Sequence, residues 1–534
     1  MQQALLVQPK QQAPLRYPIF WTICNLVNNI VGAGFLALPW CLKELKEGTE
    51  TDHPAVVFLI LLVLVGLLHG VSFWLHGRAC EHVRNVGPQR GDATYLGVMT
   101  QTIGQPWDVI AGVVYLLYPM FTCMSYVKLT HDSLLGQDGI ACRFKTQAQS
   151  LLPHWMVDWM EECGIYVSMA AALILLVIYR HNDPLFRAEL GLRGVFFWIL
   201  VALVFVLWFA LPDPHNPTES EEHPADCLAM AKSWRSSWRW GVLAVIFLYL
   251  PLSCQLQLMP LGVLSMLAVL VGILSVLLAL EPNDDPNRQL QESTTNLVTR
   301  RSAHPPVPAS TEQSTFQVYV KVWSILLVSF TAHYNAPKYY GELGSGNQLQ
   351  NFRRAVCVSY IVVSLAYLGC GTMGYQMYGS DTQQDLLNNL SGSRKAPLTH
   401  GFYLLILWAD FPKVIIGMRQ LCGSLCRRCL DRQLTDQFEL LLLILASLGW
   451  FLPLADILAV KGALFGSLMV YVIPACILLR GKISPQPSRW EVGISWIMIF
   501  AGLLLFLTQV KEMTFELAQW VTSGSHNNTK ALFQ

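Results

Sequence analysis

Charge is scarce in this sequence: only 13% of its 534 residues are Asp, Glu, Lys or Arg, and they sum to a net charge of +1. No basic face is available to neutralise phosphates, which excludes nucleic acid as a partner. The sequence also lacks a Gly-x-Ser-x-Gly elbow, a His-Glu-x-x-His pair, a P-loop and a Rossmann glycine run. With no catalytic constellation it is not expected to be an enzyme or to need a cofactor. A cleavable signal is missing as well: residues 1–17 are polar, with Lys10 and Arg16, and are expected to form a cytoplasmic tail. Fourteen cysteines make no disulfide framework, because most sit in apolar runs where the thiol behaves as a small apolar group. One pair among Cys142, Cys163 and Cys227 is a candidate for oxidation. Cys422, Cys426 and Cys429 lack a fourth ligand for structural zinc, which leaves packing or palmitoylation.

Apolar length is what the chain has in abundance. Hydrophobic residues make up 53%, the mean hydropathy is +0.41, and about thirteen runs reach spanning length between residues 18 and 510. A polytopic all-α membrane protein embedded in lipid is expected. The runs group as 18–135, two short spans within 136–237, a pair in 238–280, and a block over 317–510. With the N-terminus inside, arginine-rich connections (Arg78, Arg84, Arg90; Arg353, Arg354; Arg427, Arg428, Arg432) fall in the cytoplasm. The Pro/Ser/Thr-rich stretch 281–316 reads as a disordered outer loop, and 511–534 as an outer tail. The sequons at Asn389 and Asn527 then share the outer face and are candidate glycosylation sites.

One run is unsuited to an unbroken helix. Asn25 to Trp40 reads NLVNNIVGAGFLALPW, with Asn28-Asn29, Gly32-Ala33-Gly34 and Pro39 inside an otherwise apolar span. Non-helical backbone at membrane depth is tolerated only where protein buries it or where it lines a cavity. Freed amides of Ala33 and Gly34 suit a carboxylate, and freed carbonyls near Asn28 and Val31 suit a cation. A plain kink whose small residues let a neighbour pack closely is the competing account.

These residues resemble a known family. NLVNNIVGAGFLALPW, LYLPLSCQLQLMPLGVLSMLAVLVGILSV at 248–276, SFTAHYNAPKYYGEL at 329–343 and LPLADILAVKGALFGSLMVYVIPACILL at 452–479 are similar, in order and spacing, to the sodium-coupled neutral amino acid transporters of the amino acid/auxin permease family. The resemblance runs from Trp21 to Val510 and implies a LeuT-like fold of the APC superfamily: a five-plus-five inverted repeat with broken first and sixth core helices. The 136–237 segment departs from that plan and reads as an inserted helical pair. The resemblance implies an amino acid substrate on Gly32, Ala33, Gly34, Thr331, His333 and Tyr334. It also implies a sodium or proton site at Asn28, Val31 and Asp410. Tyr340, Glu342 and Leu343 keep the family's spacing from His333, whereas Tyr334-Asn335-Ala336-Pro337-Lys338 differ from its usual run.

The sharpest departure is at Asp410. The family places a threonine hydroxyl a little before the proline matching Pro412, and this chain has Trp408-Ala409-Asp410 there. A carboxylate in mid-span is costly and usually serves an ion or proton path. Asp410 therefore either ligates a cation, carries the coupled proton, or pairs with Lys128 or Lys413. His333 is read as a pH-sensitive gate or a helix cap, Tyr118 and Tyr126 as site lining or packing, and Asp456 with Lys461 as a salt-bridged outer turn. Secondary transport of a neutral amino acid by symport is the expected function, at the plasma membrane or in a lysosome-like or vacuolar membrane. An amino-acid sensor with the same fold is the alternative.

Overall fold

A computed structural model describes residues 18–49, 51–86, 95–135, 266, 267, 269, 270, 272, 314–343, 347–389, 396–430, 445–450, 454–480, 483 and 486–523. The short spans expected within 136–237, most of the 238–280 pair, the 281–313 part of the outer loop, both chain ends and Asn527 lie outside these residues. The elements in chain order are α1 (Pro18–Ile30), α2 (Leu38–Thr49), α3 (Pro54–Val86), α4 (Tyr95–Thr102), α5 (Trp107–Leu135), α6 (Thr315–Ser329), α7 (Ala336–Glu342), α8 (Gln348–Tyr378), α9 (Leu386–Asn389), α10 (Ala396–Leu430), α11 (Leu454–Val460), α12 (Ile473–Arg480) and α13 (Arg489–Ser523). Two π-helical stretches, Lys461–Gly466 and Leu468–Val472, join α11 to α12.

Among the described residues five helical stretches are long and apolar enough to cross a bilayer, and the bent pair α1 and α2 makes a sixth. At 1.5 Å per residue α3 extends about 50 Å, well beyond a hydrocarbon core of about 30 Å. Its faces divide accordingly: Leu59, Ile60, Val63, Leu64 and Leu67 are exposed while Phe58, Leu62 and Val65 are buried. An apolar stripe left outside on one helix after another, with Trp496, Ile497, Phe500 and Leu507 repeating it on α13, is what lipid contact requires. The 35-residue α10 is long enough to span but carries Asp410 and Lys413 inside it.

Several charged residues are paired across helices. The side chains of Arg78 on α3 and Glu491 on α13 form a buried ion pair, and Ser488 donates its hydroxyl to the other Glu491 oxygen at 2.6 Å. Trp74 stacks on Trp490 beside it, ring centroids 5.4 Å apart. Lys321 on α6 reaches Glu44 on α2 at 3.1 Å and lies over the Trp40 ring. A reciprocal Ser314–Gln317 cap starts α6 and satisfies its first amides.

The loop between α8 and α10 holds a carboxyl of its own. Asp385 is buried and accepts the Leu387 amide at 2.9 Å. Burial pushes its pKa from 3.8 up to about 7, the Leu387 amide and Lys128 oppose this, and Asp132 adds to it. Lys128 pairs with Asp132 at 2.8 Å on the facing end of α5. An acid whose folded pKa is raised binds protons more tightly folded than unfolded, so stability falls as pH rises from about 4 to about 7 and is flat above. Asp385→Asn should remove that slope from melting curves of the purified protein between pH 4 and 8; parallel curves for both proteins would contradict the assignment. In the same loop the Asn389 side chain donates to the Asp381 carbonyl at 2.9 Å and accepts the Gln383 amide at 2.8 Å.

Candidate functional site at two interrupted helices

Helical geometry changes between Asn28 and Pro39. α1 ends at Ile30, Gly32 is extended, residues 33–37 form a 3₁₀ turn, and α2 carries Pro39 in its first turn, where a proline amide is not missed. The two halves are bent by 53°. A second interruption follows α6: Phe330 and Thr331 close the helix, His333–Asn335 form a 3₁₀ turn, and Pro337 opens α7. Ala33 and Gly34 open their turn, where the first amides lack acceptors within the helix.

The two interruptions meet. A Cβ added to Gly34 would lie 2.7 Å from the Ser329 Cα, so only glycine allows the backbones this close. Tyrosine hydroxyls take the carbonyls that the interruptions release. Tyr367 on α8 lies 2.8 Å from the Ile30 carbonyl and 2.7 Å from that of Ser329, its single proton shared between the two helices. Tyr360 donates to Phe330 at 3.1 Å, and Tyr403 on α10 to Gly32 at 3.0 Å. Buried carbonyls without partners are costly, so Tyr367→Phe should destabilise the protein by about 1–3 kcal/mol. It should do so through the α1–α6 contact, read as a lower melting temperature and faster exchange at residues 30–35; unchanged exchange there would refute the role.

The asparagines of α1 divide. Asn29 donates its amide to the Tyr339 hydroxyl at 3.0 Å and accepts from the Tyr334 hydroxyl, tying α1 to the second interruption and α7. Asn28 is fully buried, and neither its oxygen nor its nitrogen has a hydrogen-bond partner among the described residues. That orphaned amide is suited to a ligand oxygen or cation. Val31, three residues on, is also buried, its amide still on the Val27 carbonyl at 2.9 Å.

Asp410 pairs with Lys413, Nζ 3.1 Å from Oδ1, and accepts the Tyr126 hydroxyl on Oδ2; both charged side chains are fully buried. Lys128 has its own partner in Asp132, which removes it as an alternative. Tyr126 brings Asp410 to the first interruption, since its hydroxyl stands 3.0 Å from a Cβ built on Gly32. From the second interruption, Asn335 donates to the Lys413 carbonyl at 3.0 Å.

His333 is fully buried between His69 and His76 of α3, ring centroids 5.5 and 5.7 Å away, with Phe73 at 4.9 Å. Its ring nitrogens make no hydrogen bond among the described residues and cap no helix. Thr331 donates instead to the Leu327 carbonyl at 2.5 Å, within 3.5 Å of His69 Nε2. Tyr118 and Tyr126 do face the interruptions: Tyr118 donates to the Val328 carbonyl at 3.4 Å, and its ring is 6.2 Å from that of Tyr334. Lys461 is not in an exposed turn as expected; it is buried, with Nζ 4.9 Å from the centre of the Tyr118 ring. The helical phase that turns it inward is set by packing on α5 and α6. Sequence reasoning missed Tyr339, Tyr367 and Tyr403, whose partners lie far away in the chain and leave no local signal. Among the described residues no group of three His, Cys, Asp or Glu side chains is arranged to hold a metal ion.

Apolar helices of membrane-crossing length, packed around buried polar side chains, define a polytopic helical membrane protein. The sequence model of the family described as transmembrane amino acid transporter protein matches residues 19–208 and 232–515, and the chain belongs to that family. It leaves 209–231 unmatched, within the segment read as an insertion. A Bos taurus protein that carries the provisional name sodium-coupled neutral amino acid transporter 11 is 26% identical over 112 residues, 21% of each chain. The Arabidopsis thaliana amino acid transporter AVT6E is 24% identical over 196 residues, 34% of this chain and 40% of that one. The matches thus span between a fifth and two fifths of these relatives. The crystal structure of MhsT in complex with L-phenylalanine superposes with a TM-score of 0.46 at 13% identity, covering 94% of this chain and all of that one. Family and relatives are transporters, not enzymes.

Proposed function

We propose that this protein is a secondary active transporter of amino acids that works by alternating access. The observation that carries the reading is the meeting of the two interruptions, with Gly34 against Ser329 and Tyr367 shared between Ile30 and Ser329. In it the substrate carboxylate lies on the Ala33 and Gly34 amides, and its ammonium on carbonyls between Thr331 and Tyr334, with Gly32 and His333 at the margins. The five-plus-five repeat supplies the two halves that rock about this site. Neutral amino acids are the first substrates to try, on the resemblance and on the name of the bovine relative.

A coupled ion drives uptake only if it binds the loaded state better than the empty one. The orphaned Asn28 amide and the backbone of Val31 support sodium. Asp410, held as a carboxylate by Lys413 and Tyr126, carries the coupled proton only in a state in which that pair opens. Uptake of a radiolabelled amino acid panel into proteoliposomes, under an imposed sodium gradient and separately a proton gradient, decides between them. Accumulation under neither gradient would sink the transport reading, and binding without accumulation would identify a sensor. Expression of a tagged chain places it at the plasma membrane or in a lysosome-like compartment.

A further inference from the structure

Around the joint between α5, α10 and the π-helical stretch the buried charges of the described residues do not cancel. Asp410 brings one negative charge, and Lys413 and Lys461 bring two positive ones. Asp410 is engaged on both oxygens, by Tyr126 and Lys413, and Lys461 is near enough only to feel its field. Among the described residues Lys461 makes no hydrogen bond and no ion pair; its ammonium faces the ring of Tyr118. An ammonium has three donors, and a ring face is a weaker partner than a carboxylate. Burying an unmatched cation is costly, and a partner anion relieves it.

The position of Lys461 says where that anion would come from. Its neighbours Gly462 and Gly466 pack on Ser324, Leu327 and Val328, the last turns of α6 before the interruption. Tyr118, beneath the ammonium, donates to the Val328 carbonyl and lies beside the Tyr334 ring. The ammonium is thus one side chain away from the candidate substrate site.

We propose that Lys461 recognises a carboxylate of the transported amino acid, the side-chain carboxylate of an acidic substrate, which adds acidic amino acids to the substrates of this site. The proposal rests on the transport reading above. The α-carboxylate is the other source of the same chemistry, and glutamate and glutamine, equal in shape and different in charge, separate the two.

The test measures binding and proteoliposome uptake of radiolabelled glutamate and glutamine by the purified full-length protein and by Lys461→Gln and Lys461→Arg. The wild type should favour glutamate by about tenfold or more, as a charge-assisted hydrogen bond provides. Lys461→Gln should bring that ratio close to one, and Lys461→Arg should keep it. An equal loss for both ligands in a monodisperse Lys461→Gln protein would support recognition of the α-carboxylate. Wild-type affinities for both ligands in that variant would overturn the proposal while leaving transport intact. Absence of any amino acid binding by the wild type would end both readings. If Lys461→Gln aggregates, the wild type alone still decides: glutamine α-amide, which has no carboxylate, binding as well as glutamate would refute it.

Discussion

Gly34→Ala should cut amino acid uptake about a hundredfold. The added Cβ would meet the Ser329 Cα at 2.7 Å, a separation that real Cβ atoms essentially never show, and the obstacle is backbone, which cannot rotate aside. One of the two interruptions must then move, and a displacement of about 1 Å at a binding site can cost about 10² in rate. The effect should fall on binding of the substrate carboxylate, since Gly34 supplies one of the amides assigned to it. Gly70→Ala in α3 is the matched control, because a Cβ there meets nothing within 4 Å. Scintillation-proximity binding and uptake are measured together on both variants. Near wild-type binding by Gly34→Ala would mean that the amides of the first interruption do not hold the substrate.

The second large effect concerns Asp410. Asp410→Ala strands Lys413, fully buried, with its carboxylate gone, and breaking a buried pair from one side costs about 3–5 kcal/mol. Replacing both partners by apolar residues of similar size, Asp410→Leu with Lys413→Met, should recover most of that loss, because the desolvation cost disappears with the charges. Denaturation of the single and double variants checks this; a double variant as unstable as the single one would show that the pair is not what Asp410 contributes. Coupling is a separate readout of the same residue. The double variant, if stable, should transport without dependence on an imposed proton gradient, whereas an unchanged pH profile would make Asp410 structural alone.

The local chemistry of the first interruption could be read directly. Asn28-Asn29, Gly32-Ala33-Gly34 and Pro39 each disfavour continued helix in lipid, and α1 stops at Ile30. The spacing of Asp410 and Lys413, three apart on one helix, made an ion pair one of the open accounts, and the structure selects it. Long-range partners were not legible. That Asn29 rather than Asn28 would bind Tyr334 and Tyr339 depends on how α1 is rotated against α7, which no spacing within either segment encodes. Lys461 misled for the same reason: with Asp456 it reads as part of a salt-bridged outer turn, whereas packing buries it against Tyr118. Tyrosines in spans mostly pack, so nothing marked Tyr367 and Tyr403 as donors to interrupted backbone.

The π-helical stretch from Lys461 to Val472 stores chain. Each of its turns holds more residues than an α-turn, so rewinding part of it as α-helix would release a residue and swing whatever precedes it about 100° around the axis. Lys461 stands at its first position, and against α6 the stretch presents Gly462 and Gly466, whose missing side chains leave room for Val328 and Leu327. It is therefore built like a slackened winding: a small change in pitch would carry the ammonium group off the Tyr118 ring.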